Sequence, residues 1–222
     1  MGEMISYHAP DGVSLTAYQA LPDTPARGGL IICQEIFGVN DHIKQVCDDY
    51  ASQGWHVIAP CLFDPAMPDV SLDYNPDGKQ TGLGLKQQVD GRAEGDIAAA
   101  AALFPLSYKR AIIGYCWGGS LAWRMACYHT LFDGAISYYG GELPKLSQLS
   151  ANCPVLAHFG TKDATIPVAG VNDFATAQPD VTCHIYEADH GFNCDHRAQY
   201  DAEAAELARQ RSEAFLAQYC EA

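Results

Sequence analysis

Three residues that could act together in nucleophilic catalysis occur along this chain in a characteristic order, beginning with a cysteine between glycines. Cys116 stands in the segment GYCWGG (114–119), a Gly-x-nucleophile-x-Gly pattern with a thiol where an ordinary esterase has a serine. The apolar run RAIIGYC (110–116) precedes it, and the helical pattern GGSLAWRMACYH (118–129) follows. A strand-turn-helix connection would place Cys116 at a helix N-terminus, where the helix dipole favours a thiolate. The alternative is a buried structural cysteine.

An acid and a histidine follow the cysteine, in the chain order that this arrangement requires. Asp163 lies in GTKDATIP (160–167) and His190 in ADHGFN (188–193), each just after an apolar run. His190 would relay a proton between the thiol and the leaving group, while Asp163 would hold its tautomer and stabilise the imidazolium. Taken singly, Asp163 could be a turn residue or helix cap, and His190 an exposed loop histidine. Their order and strand-end positions favour a triad.

The loop expected to form the oxyanion hole begins with a further acid. Glu35 ends the run GGLIICQE (28–35), and a carboxylate there is costly unless it is paired. As a neighbour of Cys116 it could accept the thiol proton or suppress the thiolate when no substrate is bound; otherwise it is a helix-capping or surface residue. The backbone N–H groups of Ile36 and Trp117 are the predicted oxyanion donors.

Strands and helices alternate along the chain and predict the framework that must position these residues. A hairpin is expected at MISYHA and VSLTAYQA, around the turn residues Pro10, Asp11 and Gly12. The continuous apolar runs are typical of parallel strands buried on both faces; they lie at 28–35, 55–60, 110–116, 134–140, 153–160 and 181–188. Helices are predicted at 41–54, with Gly54 as C-cap, and at 93–104, 118–129 and 197–219. The fold class predicted is α/β, a mostly parallel central sheet with helices on both faces.

One long stretch, 61–92, shows no regular pattern. Loops of this length are usually functional lids or disordered, and Tyr74, Lys79 and Arg92 make this one a candidate lid that contacts substrate.

Composition limits the function classes. The 222 residues, 48% of them hydrophobic, suit a single domain over 1–222. A net charge of −14 argues against nucleic acid and anionic membranes as partners, and the longest apolar runs fall far short of the roughly 20 residues that span a bilayer. Nine cysteines, an odd number without small-domain spacing, and an N-terminus unlike a signal peptide indicate the cytoplasm.

The segment 183–196 is rich in histidine and cysteine, which are common metal ligands. It contains Cys183, His184, His190, Cys194 and His196. The spacings match no common zinc pattern and His190 has a better role, so no metal or other cofactor is predicted.

The segments QEIFG, GYCWGG, SYYGG, GTKDATIP and EADHGF together resemble the dienelactone hydrolase family (carboxymethylenebutenolidases), a cysteine branch of the α/β-hydrolase fold, from about residue 10 to 217. The resemblance implies that Cys116 is the nucleophile, His190 the base and Asp163 its orienting acid. It implies that Glu35 activates the thiol, which stays neutral until substrate displaces this carboxylate. It also implies a cofactor-free enzyme, commonly monomeric with a dimer as the alternative, that opens an enol-lactone to maleylacetate.

The chain departs from this family at the substrate-binding arginines. The arginine expected four residues after the catalytic histidine is replaced by Cys194, and the nearest arginine is Arg197. The second arginine aligns only loosely, with Lys79 or Arg92. Tyr139 of SYYGG is a further candidate substrate contact. A hydrolase of a small ester or lactone is therefore predicted; a thioesterase or acyltransferase using the same site, or a fold that binds a small ligand without turnover, are the alternatives.

Overall fold

The computed structural model describes residues 2–221, which form two compact units, one ending at Arg110 and the other running from Ala111 to Glu221. The chain contains eight strands and six α-helices in this range. Four of the strand pairs are parallel and two are antiparallel. The predicted α/β class with mostly parallel strands is confirmed, while the single-domain organisation stays a prediction.

The first unit is built on four strands in the order β1-β2-β4-β3. They are β1 (Glu3–His8), β2 (Ser14–Ala20), β3 (Gly29–Cys33) and β4 (His56–Pro60). Strands β1 and β2 form the predicted antiparallel hairpin, and β3 pairs with β4 in parallel. Every residue of β3 and β4 is buried, as expected of strands covered on both faces.

Three helices accompany these strands: α1 (Asp41–Ser52), α2 (Pro76–Val89) and α3 (Ala93–Ala101). Helix α1 begins after Asn40, whose side chain accepts the Ile43 N–H at 3.2 Å. It ends at Ser52 with Gln53 as the C-cap, so Gly54, the predicted C-cap, lies one residue further on, at φ 99°.

Helix α2 corrects the prediction that 61–92 is irregular throughout. The Asn75 side chain caps its N-terminus by accepting the Gly78 N–H at 2.8 Å, and Pro76 takes the first position. Gly82 is buried against the carbonyl oxygen of Ile36, where a Cβ atom would collide. Helix α2 thus packs through backbone contact, which leaves little apolar periodicity in its sequence.

The second unit carries four strands that pair in parallel in chain order. They are β5 (Arg110–Tyr115), β6 (Gly134–Tyr138), β7 (Val155–Gly160) and β8 (Val181–Tyr186). Its helices are α4 (Trp117–Tyr128), α5 (Val168–Ala177) and α6 (Ala202–Tyr219). Helix α5 lies outside the predicted set, and α6 begins at Ala202 because Asp201 caps it by accepting the Ala204 N–H at 3.0 Å.

A polar network is buried in the core of this unit. His158 of β7 is fully buried; its Nδ1 is 2.8 Å from the Tyr186 hydroxyl, and its Nε2 is 3.1 Å from the Ser212 hydroxyl of α6. Ser212 is also 2.8 Å from the Tyr138 hydroxyl. Burial lowers the pKa of His158 well below its ordinary value, with the neighbouring His184 and Arg211 adding to the effect. The core is therefore built around a neutral imidazole.

None of the helices within residues 2–221 has the length and apolar character that crossing a bilayer requires.

Candidate active site

Cys116 occupies a strained turn between β5 and α4. Its backbone has φ 54° and ψ −111°, a conformation that non-glycine residues rarely adopt. The turn is fixed by the Cys116 N–H, which donates to the Tyr138 carbonyl at 3.0 Å. Gly114 is required because a Cβ atom there would overlap the Gly118 carbonyl. These features define a nucleophile elbow.

Helix α4 begins immediately after the elbow and places the positive end of its dipole beside Cys116. The Ser120 N–H donates to the Cys116 carbonyl at 3.2 Å, which is the first bond of the helix ladder. Trp117 is the first residue of the helix, and N–H groups of a first turn have no partner within a helix. Cys116 as a residue is partly exposed to solvent.

Two adjacent loops, after β7 and β8, carry Asp163 and His190. The Thr161 N–H donates to the Tyr186 carbonyl at 2.8 Å, and the Lys162 N–H donates to the Ala188 carbonyl at 2.9 Å. Gly160 permits this approach because a Cβ atom there would meet the Ala188 carbonyl. The two loops are thus held together by backbone bonds.

The acid and the histidine are in direct contact. His190 Nδ1 lies 2.6 Å from Oδ2 of Asp163, whose side chain is almost completely buried. The other carboxylate oxygen, Oδ1, accepts from the Thr165 hydroxyl at 2.6 Å, the Thr165 N–H at 2.8 Å and the Ile166 N–H at 3.1 Å. Sequence reasoning missed Thr165; the available signal was Asp163 itself, because an aspartate side chain often accepts the backbone N–H two residues further on.

The histidine connects the acid to the cysteine. Nδ1 faces Asp163, so Nε2 remains for the hydrogen bond between His190 and Cys116. Burial alone would lower the pKa of His190, but the hydrogen bonds to Asp163 and Cys116 outweigh it and raise this pKa to about 10. Burial also disfavours ionised Asp163, yet bonds from His190 and Thr165 keep the pKa of Asp163 below its ordinary value. The site therefore favours an imidazolium between two acidic partners.

The ring of Tyr139 packs against the imidazole of His190. It is fully buried at φ 40°, and its ring centroid lies 5.0 Å from that of His190 and 5.4 Å from that of Phe192. Its N–H donates to the His158 carbonyl at 2.7 Å. Tyr139 thus packs on His190, and its predicted substrate contact stays a prediction.

Arg197 lies against the loop that carries His190. Its Nη1 atom is 2.5 Å from the position that a Cβ atom would take on Gly191, the residue after the histidine. A side chain at position 191 would displace the guanidinium from this place, and Gly191 also has φ 83°, a backbone conformation that favours glycine. Cys194, which stands where the resemblance led us to expect an arginine, is fully buried.

The remaining predicted site residues belong to the unit that ends at Arg110. Glu35 and Ile36 follow β3 directly, with 1% and 6% of their surfaces exposed. The Gln34 side chain braces this loop, since it donates to the Glu35 carbonyl at 3.2 Å and accepts the Leu62 N–H at 3.1 Å. The catalytic roles of Glu35 and Ile36 stay predictions.

The candidate lid residues have different environments. Tyr74 packs its ring 4.5 Å from that of Phe37, while Lys79 is exposed on α2. Arg92 is already neutralised: it binds both carboxylate oxygens of Asp96 at 2.9 Å and Asp11 Oδ2 at 2.9 Å. Arg92 is thus engaged in a structural ion pair, and Lys79 is the more accessible cation.

All nine cysteines are free thiols. Within residues 2–221, no three His, Cys, Asp or Glu side chains are grouped so that they could hold a metal ion. Burial raises the pKa of several of these thiols, including Cys61, Cys153 and Cys183, each to about 11. Thiols of this kind react slowly at neutral pH because the thiolate is the nucleophile.

A parallel α/β framework with a nucleophile elbow, followed along the chain by an acid and a histidine in contact, defines an α/β-hydrolase. Comparison with solved structures supports the same fold. A solved structure of a candidate dienelactone hydrolase from Klebsiella pneumoniae subsp. pneumoniae superimposes with a TM-score of 0.82 at 28% identity, over 99% of this chain and 100% of the other. The predicted fold is confirmed.

Two curated relatives and a family profile show which family this chain belongs to. Carboxymethylenebutenolidase of Pseudomonas putida is 33% identical over 227 residues, and carboxymethylenebutenolidase 1 of Cupriavidus pinatubonensis is 30% identical over 226. Each alignment covers 93% of this chain and 96% of the relative. The profile of the dienelactone hydrolase family matches residues 15–220. The chain therefore belongs to the dienelactone hydrolase family, and the predicted enzyme class, a hydrolase, is confirmed.

Proposed function

We propose that this protein hydrolyses a small carboxylic ester or lactone through an acyl-thioenzyme formed on Cys116. The observation that carries the proposal is the hydrogen-bonded chain Cys116–His190–Asp163, which begins at a nucleophile elbow. A thiol hydrogen-bonded to a histidine that an acid orients is the arrangement that covalent catalysis requires. Membership of the dienelactone hydrolase family supports the same class of substrate.

In the first half of the reaction the Cys116 thiolate attacks the carbonyl carbon. The thiol proton passes to His190 Nε2 in this step, and Asp163 stabilises the resulting imidazolium through Nδ1. The carbonyl oxygen gains negative charge in this step. The Trp117 N–H at the start of α4 is one proposed donor to it, and the Ile36 N–H, on the resemblance alone, is the other.

Collapse of the tetrahedral intermediate breaks the bond to the ester oxygen. His190 returns its proton to this oxygen, which leaves as an alcohol or, in a lactone, stays tethered as a hydroxyl or enol. Water then attacks the thioester carbonyl with His190 as the base, which releases the acid and restores the thiol. Glu35 is proposed, from the family resemblance, to control whether the thiol is ionised before substrate arrives.

For the substrate we favour an anionic lactone, as the names of the relatives suggest. A carboxylate needs a cation to offset the net charge of −14. Arg197, which lies against the backbone beside His190, is our candidate, and Lys79 the second. Arg92 is less suitable because Asp96 and Asp11 already neutralise it. Tyr74 and Tyr139 remain candidate contacts for the rest of the substrate. A cytoplasmic location and a monomeric state also stay proposals.

The test is hydrolysis of cis- and trans-dienelactone followed by ultraviolet absorbance, with wild type beside Cys116→Ala. Turnover that the substitution abolishes supports the mechanism and the substrate. Turnover that Cys116→Ala retains refutes the thiol mechanism. If neither isomer reacts, the anionic lactone is wrong, and uncharged esters and lactones are assayed with the same pair.

Two further measurements address the alternatives. A thioesterase would hydrolyse a thioester with a kcat/KM well above that for the matched oxygen ester. A protein that binds without turnover would show no selective alkylation of Cys116 among its nine cysteines. Cys127→Ala, which removes another partly exposed thiol, is the matched control for alkylation, since burial raises the pKa of that thiol to about 12.

A further inference from the structure

One hydroxyl group bridges the acid and the histidine of the triad. The Thr165 Oγ1 atom is 2.6 Å from Oδ1 of Asp163 and 3.3 Å from Nδ1 of His190. A carboxylate can only accept, so the Thr165 hydroxyl donates its single proton to Asp163. Towards His190 the same oxygen can then only accept, and it must face a protonated Nδ1.

This geometry fixes two properties of the triad. Three donors on Oδ1 hold the plane of the Asp163 carboxylate, so that Oδ2 points at His190. The acceptors Asp163 Oδ2 and Thr165 Oγ1 both favour the tautomer with its proton on Nδ1. In that tautomer Nε2 is the basic nitrogen, and Nε2 is the atom left for Cys116.

We propose that Thr165 is a positioning residue for the reaction, which selects the Nδ1-protonated tautomer of His190 and the orientation of the Asp163 carboxylate. This inference rests on the proposed function for its activity readout. Thr165 acts through Asp163 and His190 rather than by contact with the reacting atoms.

If Thr165 were only a turn residue, removing its hydroxyl would leave activity unchanged. The backbone N–H groups of Thr165 and Ile166 donate to Asp163 Oδ1 whatever their side chains are, so the turn does not need a hydroxyl. The Thr165 side chain is exposed, so its substitution leaves the core packing intact. A loss of activity on removing the hydroxyl therefore reports on the triad.

The experiment compares Thr165→Val, which keeps the shape and removes the hydroxyl, with Thr165→Ser, which keeps the hydroxyl. Thr176→Val is the matched control, because the Thr176 hydroxyl also makes one local bond, to the Asn172 carbonyl at 2.8 Å, on exposed helix α5. We expect Thr165→Val to lower kcat about tenfold, the effect of one lost hydrogen bond in the transition state, with KM unchanged. Thr165→Ser and Thr176→Val should keep wild-type kcat.

The pH profile gives a second readout. The Thr165 hydroxyl is one of the donors that hold the pKa of Asp163 down, so its loss should move the acid limb of kcat/KM to higher pH. Wild-type kcat and profile in Thr165→Val would overturn the proposal. An equal loss in Thr165→Ser would also overturn it, because the methyl group and not the hydroxyl would then matter.

A measurement without substrate separates this proposal from the proposed function. The rate of Cys116 alkylation by iodoacetamide, measured against pH, reports the thiol–imidazole pair directly. A slower rate in Thr165→Val, restored in Thr165→Ser, supports the positioning role even if no ester is hydrolysed. Unchanged rates across the series overturn it. Thr165→Ala is the second hydroxyl-free variant, used if Thr165→Val fails to fold, and it should show the same losses.

Discussion

His190 Nδ1 and Asp163 Oδ2 lie 2.6 Å apart, at the junction of two loops that backbone hydrogen bonds hold together. Asp163 is buried, so the charge of its carboxylate is poorly screened and acts mainly on this imidazole. The distance is that of a charge-assisted hydrogen bond, which is stronger than a neutral one. The pair therefore sets both the charge and the tautomer of the proposed catalytic base.

Replacing Asp163 with asparagine should remove nearly all turnover. The amide can offer an N–H to Nδ1 and so favours the tautomer in which Nε2 carries the proton, which leaves no base facing Cys116. We expect kcat to fall by roughly a thousandfold or more. Steady-state kinetics with Asp173→Asn, an exposed acid on α5, as control would check this. A loss below tenfold would show that His190 does not depend on Asp163.

Adding one methyl group at Gly114 should disrupt the elbow. A Cβ atom there overlaps the Gly118 carbonyl, so the turn carrying Cys116 must shift. We expect Gly114→Ala to lower the free energy of unfolding by about 1–3 kcal/mol and to abolish selective alkylation of Cys116. Gly95→Ala is the control, since nothing lies within 4 Å of that Cβ position and alanine favours helix α3. Retained alkylation in Gly114→Ala would contradict this account of the turn.

The positions of the three proposed triad residues were predictable from sequence because each residue follows a strand with a clear apolar run. Cys116, Asp163 and His190 lie just after β5, β7 and β8, and parallel strands bring their carboxyl ends to one edge. The glycine at 114 marks the close backbone approach that the elbow needs. Residue types and their spacing along the chain are therefore enough to predict where these three residues lie.

Helices α2 and α5 were not predictable in the same way. Helix α2 buries glycines such as Gly78 and Gly82, so its sequence lacks the apolar stripe that identifies a surface helix. Helix α5 buries only Val171 and Phe174. The role of Thr165 was hidden because it depends on a hydroxyl position that only the folded turn determines. Tertiary contacts, and not local preference, decide all three features.

Removal of Arg92 should affect stability, whereas removal of Arg197 should affect the KM for substrate. Arg92→Ala leaves the buried Asp96 carboxylate without its bidentate partner, so we expect about 1–3 kcal/mol lower stability in urea unfolding and an unchanged KM. Arg197→Ala should raise the KM for an anionic lactone at least tenfold. Uncharged esters serve as the control substrate, because their KM should not respond to Arg197. An increase in KM with Arg92→Ala alone would assign the carboxylate to Arg92 instead.

The buried imidazole of His158 should make the fold sensitive to mild acid. Its pKa in the folded state lies well below the ordinary value near 6.5, so between those two values the unfolded chain binds the extra proton. Stability due to this group is therefore fully present above pH 6.5 and lost as pH falls, by up to about 1.4 kcal/mol per pH unit. The positive charge of Arg211, stacked 5.3 Å over Tyr186, and the nearby His184 oppose protonation in the fold.

Urea unfolding at a series of pH values from 8 down to 5, for wild type and His158→Gln, measures this slope. Glutamine keeps a donor and an acceptor but cannot titrate, so the variant should show a flatter dependence whatever its absolute stability. His8→Gln, in the exposed part of β1, is the matched control for the replacement of a histidine by glutamine. Parallel slopes for wild type and His158→Gln would mean that other groups, such as the less buried His184 and His56, carry the acid sensitivity.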